Sequence, residues 1–94
     1  SGAGRLESSM FYVYLLRSEM KQSQLYVGYT ENLESRLKKH NAGEVLSTKP
    51  YLPWAVIYYE AFTNIKDAKQ REQYLKTTKG RRTLRLMLQS TLHD

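Results

Sequence analysis

Five polar or titratable residues in this sequence are of the types that phosphodiester hydrolysis requires: Tyr14, Tyr26, Arg36, His40 and Glu72. The reaction needs a group that deprotonates water, a cation or metal that neutralises charge on the phosphate, and a carboxylate that holds the metal. A tyrosine hydroxyl, with a pKa of about 10, is a poor base unless a metal, an arginine or a histidine lowers that pKa. These five residues can catalyse such a reaction only if the fold brings their side chains together.

Each of the five also has a simpler interpretation. Strand tyrosines are often structural, a helix arginine is often part of a surface ion pair, and a lone histidine is usually only a hydrogen-bonded side chain. Glu72 has Lys76 at i+4, with which it can form an ion pair on one helix face. Taken singly, none of these residues identifies a function.

The first two tyrosines lie in two predicted strands. The runs Phe11–Leu16 and Leu25–Tyr29 are rich in β-branched and aromatic residues and are bounded by polar residues, which favours an antiparallel hairpin. If the hairpin is centred on Lys21, the numbers of opposed residues sum to 42. Any even sum places Tyr14 and Tyr26 on the same face of the sheet, whereas an odd sum places them on opposite faces.

Arg36 and His40 fall in a predicted helix. Residues Thr30–Asn32 offer N-cap candidates, two leucines and His40 then recur at helical spacing, and Gly43 is a natural residue to end the helix. Because Arg36 and His40 are four residues apart, both project from one side of this helix.

A third strand is predicted at Trp54–Tyr59, after a connection over residues 42–53 that contains two prolines. The run is continuously apolar. Such a pattern is typical of a strand that is buried on both faces.

Glu72 is predicted to lie on the inward stripe of a second helix. Thr63 and Asn64 can cap this helix, and its apolar residues are Ile65, Ala68 and Leu75, with Glu72 at i+7 on the same stripe. An inward carboxylate needs a cationic partner, a raised pKa or a metal, because burying an unpaired charge is costly.

The last part of the chain is predicted to contain a break followed by an amphipathic helix. The break is Thr77–Arg82, which is basic and flexible in composition, and the apolar residues of the helix are Leu84, Met87, Leu88 and Leu92. The element order is therefore β-β-α-β-α-α. It predicts a small α/β (α+β) domain with a three-stranded sheet and flanking helices.

Composition narrows the function classes. The chain has 94 residues and no cysteine, which excludes disulfides, thiolate zinc sites and thiol nucleophiles and fits a cytoplasmic location. Its longest apolar run is seven residues, Met10–Leu16, far below the ~20 that cross a bilayer. Residues 1–9 precede the first methionine without periodicity and are predicted to be a remnant of an expression tag, leaving residues 10–94 as a single domain.

The positive charge is concentrated in the C-terminal third. The net charge is +6, and residues 61–94 carry eight Lys/Arg against three acids. This asymmetry favours a polyanionic partner, most simply nucleic acid, over the alternative of a solvated helix face. The candidate phosphate-binding residues are Lys76, Lys79, Arg81 and Arg82.

The ordered motifs resemble those of the GIY-YIG nucleases, most closely the small single-domain bacterial members. The resemblance begins with Tyr12-Val13-Tyr14 and Tyr26-Val27-Gly28 and continues with the segment Arg36–Gly43. Further matching stretches are Ser47-Thr48-Lys49, Tyr58–Phe62, Ala68–Lys76 and Lys79-Gly80-Arg81. The similarity spans Met10 to about Leu88. It implies metal-dependent cleavage of nucleic acid, with DNA as the expected substrate.

The resemblance also implies a role for each candidate residue. Tyr14 matches the general base or the group that positions the attacking water, and Tyr26 the residue that contacts the scissile phosphate or orients Tyr14. Arg36 matches the arginine that stabilises the transition state, and His40 a histidine that assists proton transfer in some branches. Glu72 matches the glutamate that holds a single Mg²⁺ or Mn²⁺.

Two departures bear on substrate binding. Tyr12 stands where the first motif has its glycine, and the Lys49–Pro53 segment lacks a basic pair that many members carry. With no second domain in residues 10–94, substrate selection is expected to come from the core or from a protein partner. Two alternatives stay open: an idle or weakly active nucleic-acid-binding module, and an interaction subunit in which Pro50–Trp54 docks a partner.

Overall fold

A computed structural model describes residues 9–93, so the predicted tag remnant lies outside the described residues except for Ser9. The strands are β1 (Phe11–Ser18), β2 (Leu25–Thr30) and β3 (Trp54–Phe62). The helices are α1 (Leu33–Asn41), α2 (Ile65–Leu75), α3 (Thr78–Met87) and the single turn α4 (Gln89–Leu92), with a 3₁₀ turn at Lys49–Tyr51. The predicted fold class and the order β-β-α-β-α-α are confirmed.

The three strands form one antiparallel sheet in the order β2-β1-β3. Tyr14 pairs with Gly28 and Leu16 with Tyr26, so opposed residues in the hairpin sum to 42 as predicted. Tyr14 and Tyr26 therefore lie on one face of the sheet, with ring centroids 6.4 Å apart.

The prediction that the third strand is buried on both faces is wrong. β3 lies at an edge of the sheet, and Tyr59 in its middle is 54% exposed. The strand buried on both faces is β1, where residues 13–16 are all buried. Its central place arises because it pairs with both β2 and β3, and an apolar run alone does not reveal how the strands are ordered.

The two faces of the sheet are covered by different elements. On one face Val13, Leu15 and Val27 form the main core with residues of α2 and α3, namely Ala68, Leu75 and Leu84. On the other face Tyr14, Leu16 and Trp54 form a second cluster, against which Leu33 and Leu37 of α1 pack. Successive side chains of β1 thus enter different layers.

Helix α1 begins and ends as the sequence predicts. The Asn32 side chain accepts a hydrogen bond from the Ser35 N–H at 3.0 Å, and Gly43 adopts φ 76° after the last turn. The N–H groups of Gly43 and Glu44 donate to the carbonyls of His40 and Lys39, which is the Schellman ending. These two ends fix which residues of α1 face the sheet.

The C-terminal region differs from the prediction at two points. Thr77–Arg82 is not a break, because Thr77 caps α3 by accepting a hydrogen bond from the Gly80 N–H at 3.0 Å. A side chain at Gly80 would overlap the backbone of Tyr74 and Leu75, so this glycine permits α3 to cross close to α2. Ile65 is 41% exposed rather than inward, although Asn64 caps α2 as expected.

Among residues 9–93, no helix combines the length and apolar character that crossing a bilayer demands.

Candidate active site

Tyr14 projects from the middle of the central strand and is 2% exposed. Its hydroxyl lies against Gly28 on β2, where a Cβ atom would overlap it. A glycine inside a strand often marks such a close approach. The second motif therefore contributes to the site both by Tyr26 and by the space that Gly28 leaves open.

His40 lies in the last turn of α1 and is wholly buried. Its Nε2 atom is 2.8 Å from the Tyr14 hydroxyl, and its Nδ1 atom is 2.8 Å from Oγ1 of Thr48. The ring of Tyr26 meets the His40 ring edge-on, with centroids 5.2 Å apart. The imidazole is thus held by two hydrogen bonds and by aromatic contact.

Arg36 lies one turn before His40 and approaches the same tyrosine. Its Nε–H is 3.4 Å from the Tyr14 oxygen, and the side chain is half-buried. The Tyr14 oxygen therefore faces a guanidinium on one side and an imidazole on the other. The hydrogen bond to Tyr14 raises the pKa of Arg36, so its positive charge is permanent.

An open cleft of about 360 Å³ begins at Arg36. It is lined by Tyr29, Thr30, Glu31, Asn32, Ser35, Arg36 and Lys39. Tyr14 does not line the cleft, but Arg36 lies in it and also contacts Tyr14, so an anionic group in the cleft can reach the guanidinium.

Burial keeps the tyrosine and the histidine neutral. Burial raises the pKa of Tyr14 above its usual 10.0, although the hydrogen bond from Arg36 acts in the other direction. Burial and then the charge of Arg36 lower the pKa of His40 from 6.5 to about 4. Around neutral pH the pair is therefore a neutral hydroxyl beside a neutral imidazole.

Within residues 9–93, Glu72 forms no hydrogen bond or ion pair with the other four candidates. Its side chain is 18% exposed, and its carboxylate is 3.1 Å from Nζ of Lys76, so the simpler i+4 interpretation is realised in the structure. The Glu72 charge still acts on the site, since it is among the causes that raise the pKa values of Tyr14 and Tyr29. The structure thus joins Tyr14, Tyr26, Arg36 and His40 directly and Glu72 only electrostatically.

A multi-ligand metal cage is absent from residues 9–93, where no group of three or more His, Asp or Glu side chains converges. Glu72 is a single carboxylate. Burial, then the charges of Glu31 and Glu72, raise the pKa of Tyr29, whose buried hydroxyl has no hydrogen-bond partner among the described residues. With so few protein ligands, an ion bound at Glu72 would keep most of its coordinated water molecules, as Mg²⁺ commonly does.

The predicted phosphate-binding residues are distributed along α2 and α3. Lys76 is occupied by Glu72, Lys79 and Arg82 are exposed, and Arg81 is half-buried. Lys76 ends α2, and the other three residues lie in α3, so none of the four lies in a flexible segment. No acid occurs between Gln73 and His93, so this surface is uniformly basic.

Sequence reasoning missed Thr48. It lies in the connection between α1 and β3, is wholly buried and contacts His40. No periodic pattern marks it, because it belongs to neither a helix nor a strand. The one signal in the sequence was that Ser47-Thr48-Lys49 matches the GIY-YIG nucleases, but the resemblance implied no role for Thr48.

The sequence matches the family model of the GIY-YIG catalytic domain over residues 10–85. It is 36% identical to a UPF0213 protein of Clostridium perfringens over 86 residues, covering 90% of each chain. It is also 36% identical to a UPF0213 protein of Staphylococcus haemolyticus over 77 residues, covering 81% of this chain and 92% of the relative. A UPF0213 protein of Bacillus licheniformis is 39% identical over 72 residues, or 76% and 72% of the two chains.

Proposed function

The chain belongs to the GIY-YIG family, whose catalytic domain is a nuclease domain, and we propose that it is a divalent-metal-dependent endonuclease that hydrolyses phosphodiester bonds of DNA. The observation that carries the proposal is the convergence of His40 and Arg36 on the buried Tyr14 hydroxyl. A purely structural tyrosine needs one hydrogen-bond partner, whereas this hydroxyl faces both a base and a cation.

In the proposed reaction, Tyr14 transfers a proton rather than acting as a tyrosinate. The attacking water gives a proton to the Tyr14 oxygen while the Tyr14 proton moves to Nε2 of His40. The water oxygen forms its bond to phosphorus as the bond to the leaving oxygen breaks, and that oxygen takes a proton from solvent. The relay avoids the free tyrosinate that the raised pKa of Tyr14 disfavours.

Arg36 has two effects in this scheme. Its guanidinium stabilises the negative charge that develops on the phosphate. The phosphate in turn neutralises Arg36, whose charge is one cause of the low pKa of His40. Substrate binding therefore makes His40 a better proton acceptor at the moment when one is needed.

Tyr26 supports the relay from the neighbouring strand. Its ring packs against both Tyr14 and His40, with centroid distances of 6.4 and 5.2 Å. We assign it to orienting these two groups and to contacting the scissile phosphate at the mouth of the site.

The metal is assigned to Glu72. A single carboxylate suits Mg²⁺, which keeps several waters and takes its remaining ligands from substrate phosphates; Mn²⁺ can take the same place. The bound ion would withdraw electron density from the phosphate and stabilise the leaving oxygen. Lys76, which now holds the carboxylate, would have to release Glu72 and become free to contact a phosphate.

Nucleic acid is the substrate class that the surface charge favours. Exposed Lys79 and Arg82, with half-buried Arg81 beside them, form a basic surface suited to sequence-independent contacts with the phosphate backbone. A protein partner that selects among substrates is compatible with this small domain. The second candidate is an idle nucleic-acid-binding module, favoured by the ion pair that already satisfies Glu72.

The first test is cleavage of labelled single-stranded, duplex, flapped and branched DNA, with an RNA strand alongside, in Mg²⁺, Mn²⁺ or EDTA. Glu72→Gln is expected to lower cleavage by about 10³-fold, because the carboxylate charge that holds the metal is lost. It should leave DNA binding unchanged or stronger.

Glu34→Gln is the matched control, because Glu34 forms a similar i+4 pair with Lys38 at 3.8 Å but is 84% exposed. It should cleave like the wild type. If Glu72→Gln also cleaves like the wild type, the metal assignment is wrong. If the wild type binds every substrate and cuts none, the idle module is the better account.

A further inference from the structure

Thr48 makes contacts that the proposed catalytic roles do not explain. The residue is 0% exposed and directly precedes the 3₁₀ turn Lys49–Tyr51, and its hydroxyl has two partners. It lies 2.8 Å from Nδ1 of His40 and donates to the Val45 carbonyl at 3.3 Å. A buried hydroxyl with two fixed partners constrains the side chains around it.

The direction of these hydrogen bonds determines the form of the imidazole. A hydroxyl has one proton, and the Val45 carbonyl can only accept, so the 3.3 Å contact is a hydrogen bond when the Thr48 proton points to Val45 rather than to His40. Towards His40 the Thr48 oxygen can then only accept, so Nδ1 must carry a hydrogen. In a neutral imidazole Nε2 is then unprotonated, and it accepts the hydrogen bond from the Tyr14 hydroxyl.

The backbone of Thr48 is held in place from the β3 side. Nε1–H of Trp54 donates to the Thr48 carbonyl at 2.8 Å. Trp54 is itself clamped, because the Asn41 side chain accepts from its N–H at 2.7 Å and donates to its carbonyl at 3.0 Å. The connection therefore presents the Thr48 hydroxyl to His40 as a fixed group.

We propose that Thr48 is a positioning residue that holds His40 in its Nδ1–H tautomer. The catalytic consequence rests on the proposed function. In the other tautomer Nε2–H would donate to the Tyr14 oxygen, which already faces the Nε–H of Arg36. Both lone pairs of that oxygen would be directed to protein donors, leaving none to take the proton of the attacking water.

The test measures the tautomer itself, by two-bond ¹H–¹⁵N correlation of the full chain labelled at histidine nitrogens. The chain has only two histidines, so His93→Gln identifies the His40 signals. In the wild type we expect Nδ1 to be protonated and Nε2 to be bare. Thr48→Ser keeps the hydroxyl and should keep this pattern, whereas Thr48→Val has the same shape without the hydroxyl and should shift His40 towards the Nε2–H form.

Cleavage measured on the same variants gives the second result. Thr48→Val should lower kcat by about 10²-fold or more with KM nearly unchanged, and Thr48→Ser should restore most of it. A wild-type His40 protonated on Nε2 overturns the proposal even if Thr48→Val does not fold. A folded Thr48→Val that keeps the Nδ1–H form also overturns it. If no form cleaves any substrate while the tautomer pattern is as expected, the proposed function fails and the positioning role stands.

Discussion

The two faces of strand β1 are built from different kinds of group. Towards α2 and α3, Val13 and Leu15 enter an apolar core. Towards α1, Tyr14 shares a buried hydrogen bond with His40, which in turn contacts Thr48. Residues that are adjacent in sequence and equally buried thus belong to two environments, one held by apolar contact and the other by hydrogen bonds.

The difference separates stability from chemistry. Burying a leucine or valine side chain contributes about 1.5–3 kcal/mol to stability. A buried hydrogen bond contributes only about 0.5–1.5 kcal/mol, because it replaces hydrogen bonds to water, and His40 must also stay uncharged to remain buried. We infer that the apolar core towards α2 and α3 supplies most of the stability, while the α1 face uses part of it to hold Tyr14, Arg36 and His40 in place. Glu72, the proposed metal ligand, is the exception, because it belongs to α2.

Neighbouring substitutions on β1 give the largest expected contrast. Tyr14→Phe should lower cleavage by about 10³-fold, because the relay loses its hydroxyl, at a cost of about 1–3 kcal/mol for the unsatisfied His40 nitrogen. Leu15→Ala should reduce the free energy of unfolding by about 2–5 kcal/mol and leave the cleavage rate of the folded fraction nearly unchanged. Single-turnover cleavage and urea unfolding measure the two effects, and equal rate losses in both variants would contradict the separation.

Two arginines give the second contrast. Arg36→Ala should lower cleavage by about 10²–10³-fold, since a charge directed at the phosphate is lost. Arg71 faces the other side of the sheet and binds both oxygens of Glu60, at 2.8 and 2.9 Å. Arg71→Ala should lower the free energy of unfolding by about 2 kcal/mol and leave cleavage per folded molecule unchanged. A rate loss like that of Arg36→Ala would contradict the assignment of stability and catalysis to different faces of the sheet.

The dependence of stability on pH is the smallest expected effect when it is counted per pH unit, at about 1.4 kcal/mol. In the unfolded chain His40 binds a proton below its usual pKa of 6.5, whereas the folded chain resists this until about pH 4. The free energy of unfolding should therefore fall as pH drops from 6.5 to 4, by about 3 kcal/mol in total. The measurement is urea unfolding between these pH values, and His40→Gln should lose this part of the slope.

His93→Gln is the control for that experiment, because His93 is exposed and should leave the slope intact. Comparison with His40→Gln also removes the contribution of Glu60, whose pKa is lowered by its hydrogen bonds to Arg71 and Tyr58 against the opposing effect of burial. If the free energy of unfolding falls equally with pH in the wild type and in His40→Gln, protonation of His40 is not the cause of the loss of stability in acid.

Local patterns predicted much of the fold and of the cluster around Tyr14. Alternation and hairpin length gave the register that places Tyr14 and Tyr26 on one face, and helical spacing placed Arg36 beside His40. These predictions held because each depends on residues close in sequence. Strand order was missed because the pairing of β1 with β3 joins distant segments.

The remaining errors have similar causes. The composition of Thr77–Arg82 predicted a break, but Gly80 is required by a tertiary contact, the close crossing of α2 and α3. Glu72 was predicted on the inward stripe, and its burial agrees, but its pairing with Lys76 was only one of the open alternatives. Thr48 could not be predicted, because its position depends on Trp54 and Asn41 in other elements.

The fit between Tyr14 and Gly28 limits the routes by which this sequence can change. The Tyr14 hydroxyl occupies the volume that a side chain at position 28 would fill, so the two positions act as one group divided between two strands. A larger residue at 28 displaces the hydroxyl, and a smaller one at 14 leaves a gap beside Gly28. Their effects will not add, and a working alternative at either position has to be reached through paired substitutions rather than single steps.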